Sequence, residues 1–541
     1  MSSDREATPE TEGVEAERSP GLTAPGVLLV GLALSVGWGM RGNFGHEYGA
    51  MMPGALAGLA IAIASGREDW LRRAPWFGFL GAVGWSFGGS QSYMQVIGYT
   101  HSGDSLSVAY GFACLTLIGL LWACFGGAFT ALAAVLDRKR LVSVAAAGVV
   151  VIIAWQLQEL AISMRGRPDG DHRHEDILYW FDTDWVGAST AFAAVALYSL
   201  IRRRLEFGSS LVLHMAAGWW VGFLLLVVAL GFRMTPPRGD NWAGCLGMFL
   251  GLLVFLFREK QTAAAWVAVN TGVWGGAAFA LASTIKLLGM TSGVKANWHS
   301  ILEQTYGFLN GIAIAVPMSA LAARSRPADA ESAASSSSTP DLFALWFTIV
   351  AVPYVNLIKN VDRWISSKSI PGEMLGLSSY WWYAAFFGAW SISLAALARR
   401  HGRRPLAFLP ASPLGRSQWL FFILVWTLVV GNFERALVGF TSGRLVTEGV
   451  VALNALFCTL LVAILDRPAR LPDEAAPKLH SRYLALTTIA SISLVLINIG
   501  ADWYVTRAVY GDTQAGHASL HIRFGPRATV KPSPIPGRIH P

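Results

Sequence analysis

The chain has 541 residues, of which 53% are hydrophobic and 14% are charged, and its mean hydropathy is +0.45. A water-soluble fold of this length would not need so apolar a composition, whereas a membrane protein would. The formal net charge of +8 comes from Lys and Arg clusters between apolar runs, so these charges indicate membrane topology and nucleic acid is not the expected partner. The four cysteines all lie within apolar runs, which predicts packing roles and no disulfide framework.

Apolar runs long enough to cross about 30 Å of hydrocarbon as a helix recur along the whole chain. Because backbone groups in lipid must be hydrogen-bonded within their own segment, we predict an all-α polytopic transmembrane bundle of about 15 helices, with a range of about 13–15. The predicted helices cover residues 25–40, 48–65, 76–97, 106–136, 141–163, 185–201, 209–232, 242–257, 262–288, 301–323, 342–358, 380–398, 417–437, 445–465 and 483–500.

The distribution of positive charge predicts the orientation of this bundle. The loops after even-numbered helices carry 22 Lys and Arg residues and those after odd-numbered helices carry 13, so we predict cytoplasmic even loops, an inside N-terminus and an outside C-terminus. Residues 1–24 are predicted to be a disordered acidic cytoplasmic tail, and 325–341 a flexible cytoplasmic linker between a ten-helix domain (25–324) and a five-helix domain (342–500). Residues 501–541 are predicted to be an extracytoplasmic tail, and the lack of a signal peptide favours a bacterial inner membrane.

In this topology the chemically capable side chains gather on the outer side of the membrane. Eight of the eleven histidines fall there, and most polar residues near helix ends follow the same bias. An ionisable group at the centre of a span costs roughly 2.5 kcal/mol or more and therefore suggests function. Near an interface the cost is smaller, because the side chain can reach water. The one-sided distribution predicts an outward-facing polar site.

The segment 37–49 joins the first two helices on the outer side and contains five glycines. Arg41 could clamp an anion, His46 could carry a proton and Glu47 offers a carboxylate. The alternative is a tight turn packed through small residues, with Arg41 at the lipid headgroups. Because a turn alone needs neither His nor Glu, we predict catalytic roles for His46 and Glu47 and substrate binding for Arg41.

An asparagine followed by an aromatic residue, with a cation nearby, recurs where odd-numbered helices leave the membrane. The recurrence could mark an ancient duplication, as in transporters built from repeats. The spacing between copies is irregular, however, and aromatic residues at the interface are expected of any membrane protein. From these segments we predict a set of substrate-binding residues: Asn43, Arg238, Asn241, Asn297, Glu434 and Arg435.

Two further candidates lie four residues apart at the start of the tenth predicted helix. His299 and Glu303 would share one helix face, and a carboxylate can orient an imidazole and raise its basicity, as a general base requires. Pairs at this spacing also arise by chance. We predict catalytic roles for both residues, on the condition that they converge with the Arg41 segment.

The loop at 165–176 is rich in polar ligands. Alternating His172, His174 and Asp176 would point the same way in an extended strand and could hold a divalent cation, the one cofactor that the sequence suggests. No standard zinc spacing is present, and such a run is more often a solvated hydrophilic loop. Arg165 and Arg167 could instead bind phosphate or carboxylate.

Two functions from different classes fit these patterns. One is a membrane-embedded transferase that works at the outer leaflet on a lipid-linked or anionic substrate and needs access from one side only. The other is a multi-pass solute transporter, which should place polar groups near the midplane, where the sequence offers mainly Asn270, Asn310 and Asn454. A third is a non-catalytic subunit of a membrane complex. The one-sided polar residues favour the enzyme by a small margin.

Overall fold

A computed structural model of the chain describes residues 21–88, 91, 93–100, 105–166, 176–234, 241–325, 339–404, 406–407, 409–438 and 441–465, with five single positions between 489 and 500. Across these residues the chain is almost entirely helical, and its strands are confined to one short hairpin. The predicted all-α polytopic bundle is confirmed.

The helices, numbered in chain order, are α1 (Ala24–Phe44), α2 (Glu47–Ser65), α3 (Glu68–Arg72), α4 (Ala74–Gly88), α5 (Met94–Tyr99), α6 (Ser105–Val135), α7 (Arg138–Arg165), α8 (Trp185–Arg202), α9 (Phe207–Gly222), α10 (Trp242–Arg258), α11 (Thr262–Thr291), α12 (Trp298–Arg324), α13 (Thr339–Trp346), α14 (Val352–Leu357), α15 (Lys359–Ser366), α16 (Ser379–Arg403), α17 (Pro413–Leu437) and α18 (Ser442–Ile464). A 3-10 helix covers Ile177–Asp182, and π-helical turns cover Phe223–Ala229 and Phe347–Ala351. Strands β1 (Glu373–Met374) and β2 (Leu377–Ser378) pair antiparallel before α16.

Twelve helices in the described part of the chain are long and apolar enough to cross a membrane, and each corresponds to a predicted span. The eighth predicted span is the shorter apolar helix α10, and the fifteenth, 483–500, lies outside the described residues apart from single positions. The third, 76–97, differs from the prediction because α4 ends at Gly88 and α5 begins only at Met94. The sequence between them, Gly-Ser-Gln-Ser-Tyr, favours turns over helix.

Helix starts follow local capping chemistry. The Thr23 side chain accepts a hydrogen bond from the Gly26 backbone N–H at 3.3 Å, and Pro25 occupies the first turn of α1. The Asp137 carboxylate accepts from the Arg140 N–H at 2.8 Å at the start of α7. Each bond satisfies a backbone donor that has no partner within the helix.

Helices α2 and α4 pack backbone to backbone through glycines. A methyl group added to Gly58 would lie 2.1 Å from the Phe77 carbonyl oxygen, and one added to Gly54 would lie 2.3 Å from the Gly81 carbonyl oxygen. Small residues of this kind let membrane helices approach closely, and van der Waals contact then holds them together. This contact fixes α2, and with it the turn that connects α1 to α2.

Helix α12 is anchored at both of its ends. Arg67, which precedes α3, donates from Nη1 to the carbonyl oxygens of Ala322 (2.7 Å) and Ser325 (2.8 Å), and its other nitrogens pair with Asp69. The end of the bundle that contains Arg67 and the C-terminus of α12 is called the opposite end below. At the other end, called the site end below, Glu303 of α12 pairs with Arg41 of α1.

Candidate functional site at one end of the bundle

The turn between α1 and α2 is held in place by α15. Gly45 adopts a positive φ of 95°, a conformation that glycine reaches without steric cost. The Lys359 ammonium donates to the Phe44 carbonyl oxygen at the end of α1, which satisfies one of the unpaired carbonyls of that helix terminus. Lys359 was not among the predicted site residues.

Arg41 points from α1 into the protein and is only 2% exposed. Its Nη1 lies 3.3 Å from Glu303 Oε1 and its Nη2 lies 3.1 Å from His46 Nδ1. The guanidinium also lies against the rings of Trp38 (5.2 Å) and Trp122 (4.9 Å), within cation–π distance. Because a guanidinium can only donate, His46 Nδ1 accepts, and the neutral ring carries its proton on Nε2.

The chemical environment keeps His46 neutral. Desolvation of the ring, together with the positive charges of Arg41 and Lys359, lowers the pKa of His46 to about 4. His46 and Glu47 each keep part of their surface in contact with solvent although the His46 ring is partly desolvated, so these two residues mark the mouth of the site. His46 can therefore offer an N–H donor at neutral pH without carrying a charge.

Acidification is expected to destabilise the protein through His46. An unfolded histidine titrates near pH 6.5, whereas the folded ring titrates near 4. Between these values the unfolded chain binds more protons, so the free energy of unfolding falls as the pH falls. Thermal midpoints measured from pH 7 down to pH 4 should decline less steeply in His46→Gln than in the wild type. His401→Gln, which changes a histidine that accepts from the Leu406 N–H at the opposite end, should retain the wild-type profile, and equal slopes in all three would contradict the assignment.

Glu303 and His299 are joined by a tyrosine from the break between α4 and α5. The Tyr93 hydroxyl donates to Glu303 Oε1 at 2.7 Å and lies 2.9 Å from His299 Nε2. A phenol has one proton, so with Glu303 as its acceptor the Tyr93 oxygen accepts from the His299 Nε2–H. The two rings stack at 5.4 Å. His299 Nδ1 is then a lone-pair nitrogen, which is buried and has no partner among the described residues.

Three separate segments (41–46, Tyr93 and 299–303) thus build one hydrogen-bonded chain, His46–Arg41–Glu303–Tyr93–His299, called the Arg41 chain below. The structure thus brings the Arg41 segment into contact with Glu303 directly and with His299 through Tyr93, as the sequence predicts. Tyr93 was missed in the sequence, although the turn-forming residues before it were a usable signal, since they interrupt an otherwise apolar run.

An aromatic layer lies directly beneath the Arg41 chain. Trp38 lies one turn below Arg41 on α1, and Tyr306 lies one turn below Glu303 on α12. Neighbouring rings of the layer have centroids 4.9–6.0 Å apart. Its members are fully buried: Trp38, Trp85, Trp122, Phe279 and Tyr306.

The other predicted residues near the turn form separate contacts. Asn43 Nδ2 donates to Asn432 Oδ1 at 2.8 Å. Arg435 donates to the Lys359 carbonyl oxygen at 2.9 Å and lies over the Phe44 ring. Glu434, by contrast, is exposed.

Asn297, two residues before His299, caps the start of α12. Its side chain accepts from the Ser300 N–H at 3.3 Å at the start of α12. With Lys295 and Arg444 it also lines a surface cavity of about 360 Å³. This cavity offers two cations at the site end.

Two predicted residues contact neither one another nor the Arg41 chain in the described part of the structure. The Asn241 amide binds Asp184, whose backbone N–H donates to it at 2.8 Å. Arg165 pairs with Asp176 at 3.4 Å, and Asp176 accepts from the Leu178 N–H at 2.8 Å at the start of a 3-10 helix.

The remaining predicted residues lie outside the described residues: Arg167, Arg238, His172 and His174. The divalent-cation site built on His172, His174 and Asp176 therefore stays a prediction. Among the residues that the structure describes, no group of three or more His, Cys, Asp or Glu side chains could hold a metal ion.

No protein-family model matches the chain, and no curated protein or solved structure is significantly similar to it. Its function must therefore be inferred from the geometry of the site.

Proposed function

We propose that this integral membrane protein is a transferase that acts at the site end on a lipid-linked or anionic substrate. The observation that carries the proposal is the Arg41 chain, in which three sequence-distant segments bring two histidines, a carboxylate, a tyrosine and an arginine into one hydrogen-bonded array. The fully buried aromatic layer lies directly beneath this array, which fits access from a single side. Separate titratable groups that hold one another in fixed orientations in a closed site are typical of acid–base catalysis.

In this proposal His299 is the general base. Tyr93 and Glu303 fix the ring through Nε2, which leaves the Nδ1 lone pair to take a proton from an acceptor hydroxyl as its oxygen bonds to the transferred group. The bond between that group and its donor then breaks, and His299 returns the proton to the departing oxygen. Atoms and electrons balance in this transfer, and no oxidant or reductant is needed. Arg41 and Tyr93 act as positioning residues, and a substrate reaches Nδ1 only once the groups that now shield it move aside.

The anionic character of the proposed substrate rests on the cations around the mouth of the site. Lys295 and Arg444 line the cavity beside the start of α12, and Lys359 and Arg435 lie next to the α1–α2 turn. Ammonium and guanidinium groups bind phosphate and carboxylate through charge-assisted hydrogen bonds. The lipid-linked alternative uses the same cations, with the lipid tail in the bilayer.

A transporter is the second candidate. One observation favours it: the Asn270 amide on α11 is fully buried and neither of its polar atoms has a partner among the described residues. Buried polar groups along the length of a bundle can line a path for a solute. In that case the aromatic layer would have to open during every cycle.

The proposal can be tested in liposomes made from the total lipid extract of the source cells. We expect mass spectrometry to find lipid species of altered mass with the wild type, and at least about 100-fold less of them with His299→Gln, the loss typical of a missing general base. His401→Gln should match the wild type. Equal product from His299→Gln would remove the base assignment. Solute uptake without any altered lipid would favour the transporter, and neither activity would favour the non-catalytic subunit.

A further inference from the structure

A second buried polar cluster lies beside the Arg41 chain and takes no part in it. Glu448, on the second turn of α18, is only 5% exposed, and Asn432 on α17 is fully buried. The Asn432 amide nitrogen donates to Glu448 Oε2, and its oxygen accepts from Asn43 Nδ2 at 2.8 Å. Three helices therefore direct two neutral amides toward one carboxyl group.

Glu448 differs from Glu303 because it has no oppositely charged partner among the described residues. Glu303 pairs with Arg41 at 3.3 Å, whereas no ion pair of Glu448 is found within the described ranges. Arg444, one turn earlier on α18, influences Glu448 electrostatically without forming an ion pair with it. On the helices packed against α18, the charged or titratable groups at or near the site end are Arg41, Glu47, Tyr48, His299, Glu303, Tyr306, Glu434 and Arg435. Arg41 binds Glu303, and Arg435 binds the Lys359 carbonyl oxygen.

A carboxylate taken out of water without a counter-charge costs several kcal/mol, so it binds a proton or a cation instead. Carboxylate and amide oxygens are the usual ligands of a small hard cation. In the hydrogen-bonded arrangement the Asn432 and Asn43 amides present N–H groups, to Glu448 and to Asn432 respectively, and a 180° turn of each amide would present its oxygen to a bound cation instead. Gln304 on α12 contacts the neighbouring residue of α18: its Nε2 donates to the Thr447 carbonyl oxygen at 3.2 Å, and its Oε1 is buried without a partner in the described structure.

We propose that Glu448, with Asn432 and Asn43, forms a binding site for one exchangeable monovalent cation, a proton or Na⁺. The site is reached from the site end, where Asn43 is half-buried between the exposed Gly42 and Gly45. Because Asn43 lies two residues from Arg41 on the same helix, occupancy of the Glu448 site and the geometry of the α1–α2 turn are linked. This inference does not depend on the proposed transferase activity.

Binding can be measured on the purified full-length protein through its thermal midpoint, with Na⁺ titrated against choline at constant ionic strength and the pH varied separately. A ligand that binds only the folded state raises the midpoint in proportion to the logarithm of its concentration. If the ion is Na⁺, the wild-type midpoint should rise by several degrees with Na⁺. If it is a proton, the midpoint should ignore Na⁺, and as the pH is raised it should fall relative to that of Glu448→Gln, since the folded wild type then loses a proton that the unfolded chain does not hold.

The Na⁺ dependence, or the part of the pH dependence that Glu448 contributes, should be absent in Glu448→Gln, which keeps the shape and removes the titrating group; the contribution of His46 to the pH profile should remain. Glu373→Gln, which changes an exposed carboxylate on β1, should respond to Na⁺ and to pH as the wild type does. Should Glu448→Gln fail to fold, Asn43→Ala at the mouth should shift the Na⁺ concentration or pH of half-effect several-fold. A wild type that responds to neither ion, or a Glu448→Gln variant that responds like the wild type, would overturn the proposal.

Discussion

Replacing Arg41 with methionine is expected to lower the free energy of unfolding by about 3–5 kcal/mol, the usual effect of removing one partner from a buried ion pair. Arg41 and Glu303 are 2% and 3% exposed, so the substitution would leave an uncompensated carboxylate against the aromatic layer. It would also free His46 Nδ1 and remove the cation between Trp38 and Trp122. Chemical or thermal unfolding of the purified protein in detergent measures the loss.

The double variant Arg41→Met, Glu303→Gln tests whether that loss comes from the stranded charge. Buried pairs replaced by neutral groups of similar volume are often as stable as the original, so the double variant should recover most of the stability that Arg41→Met loses. A double variant as unstable as Arg41→Met would show that the packing of the arginine side chain, rather than its charge, stabilises this end of α1.

Replacing Gly58 with alanine is expected to destabilise the bundle by about 3 kcal/mol, at the upper end of the range for overpacked cores. The new methyl group would lie 2.1 Å from the Phe77 carbonyl oxygen, and neither backbone can give way without separating α2 from α4. The displacement would reach the α1–α2 turn, so His46 should lose its depressed pKa as well. Unfolding measurements and the pH profile described for His46 would report the two effects separately.

Gly148→Ala provides the matched control. Gly148 lies inside α7, and no heavy atom would lie within 4 Å of the added methyl group. Alanine is favoured over glycine in a helix by about 1 kcal/mol, so this variant should be as stable as the wild type or more stable. If Gly58→Ala and Gly148→Ala lowered the free energy of unfolding equally, the loss at Gly58 would not come from the close contact between α2 and α4.

Hydropathy predicted the spans well because lipid leaves a backbone few alternatives to the helix. The predicted 262–288 compares with α11 over Thr262–Thr291, and 417–437 with α17 over Pro413–Leu437. The third span failed for a physical reason. Hydropathy averaged over about 20 residues conceals the five residues of this break, because the apolar segments on both sides of them keep the mean hydropathy high.

The candidate site was predicted in part. One-sided placement of ionisable residues pointed to Arg41, His46, His299 and Glu303, because unneeded charges are costly in a membrane. Tyr93 escaped notice, since tyrosine near an interface is expected and its role depends on a backbone break. The recurring asparagine pattern likewise could not distinguish residues with different roles, because those roles depend on the packing of the helices. Asn297 caps a helix, whereas Asn43 donates a hydrogen bond to Asn432 on α17.

A membrane voltage falls mainly across the driest part of a protein, and the fully buried aromatic layer is such a part. Carrying one elementary charge across the whole membrane is worth about 2.3 kcal/mol per 100 mV. The Arg41 chain lies on one side of the layer, so a proton that moves between Glu303 and His299 crosses little of that voltage. An enzyme with this site would run at the same rate on energised and de-energised membranes, whereas a transporter that moved charge past Trp38 would slow or accelerate with the potential.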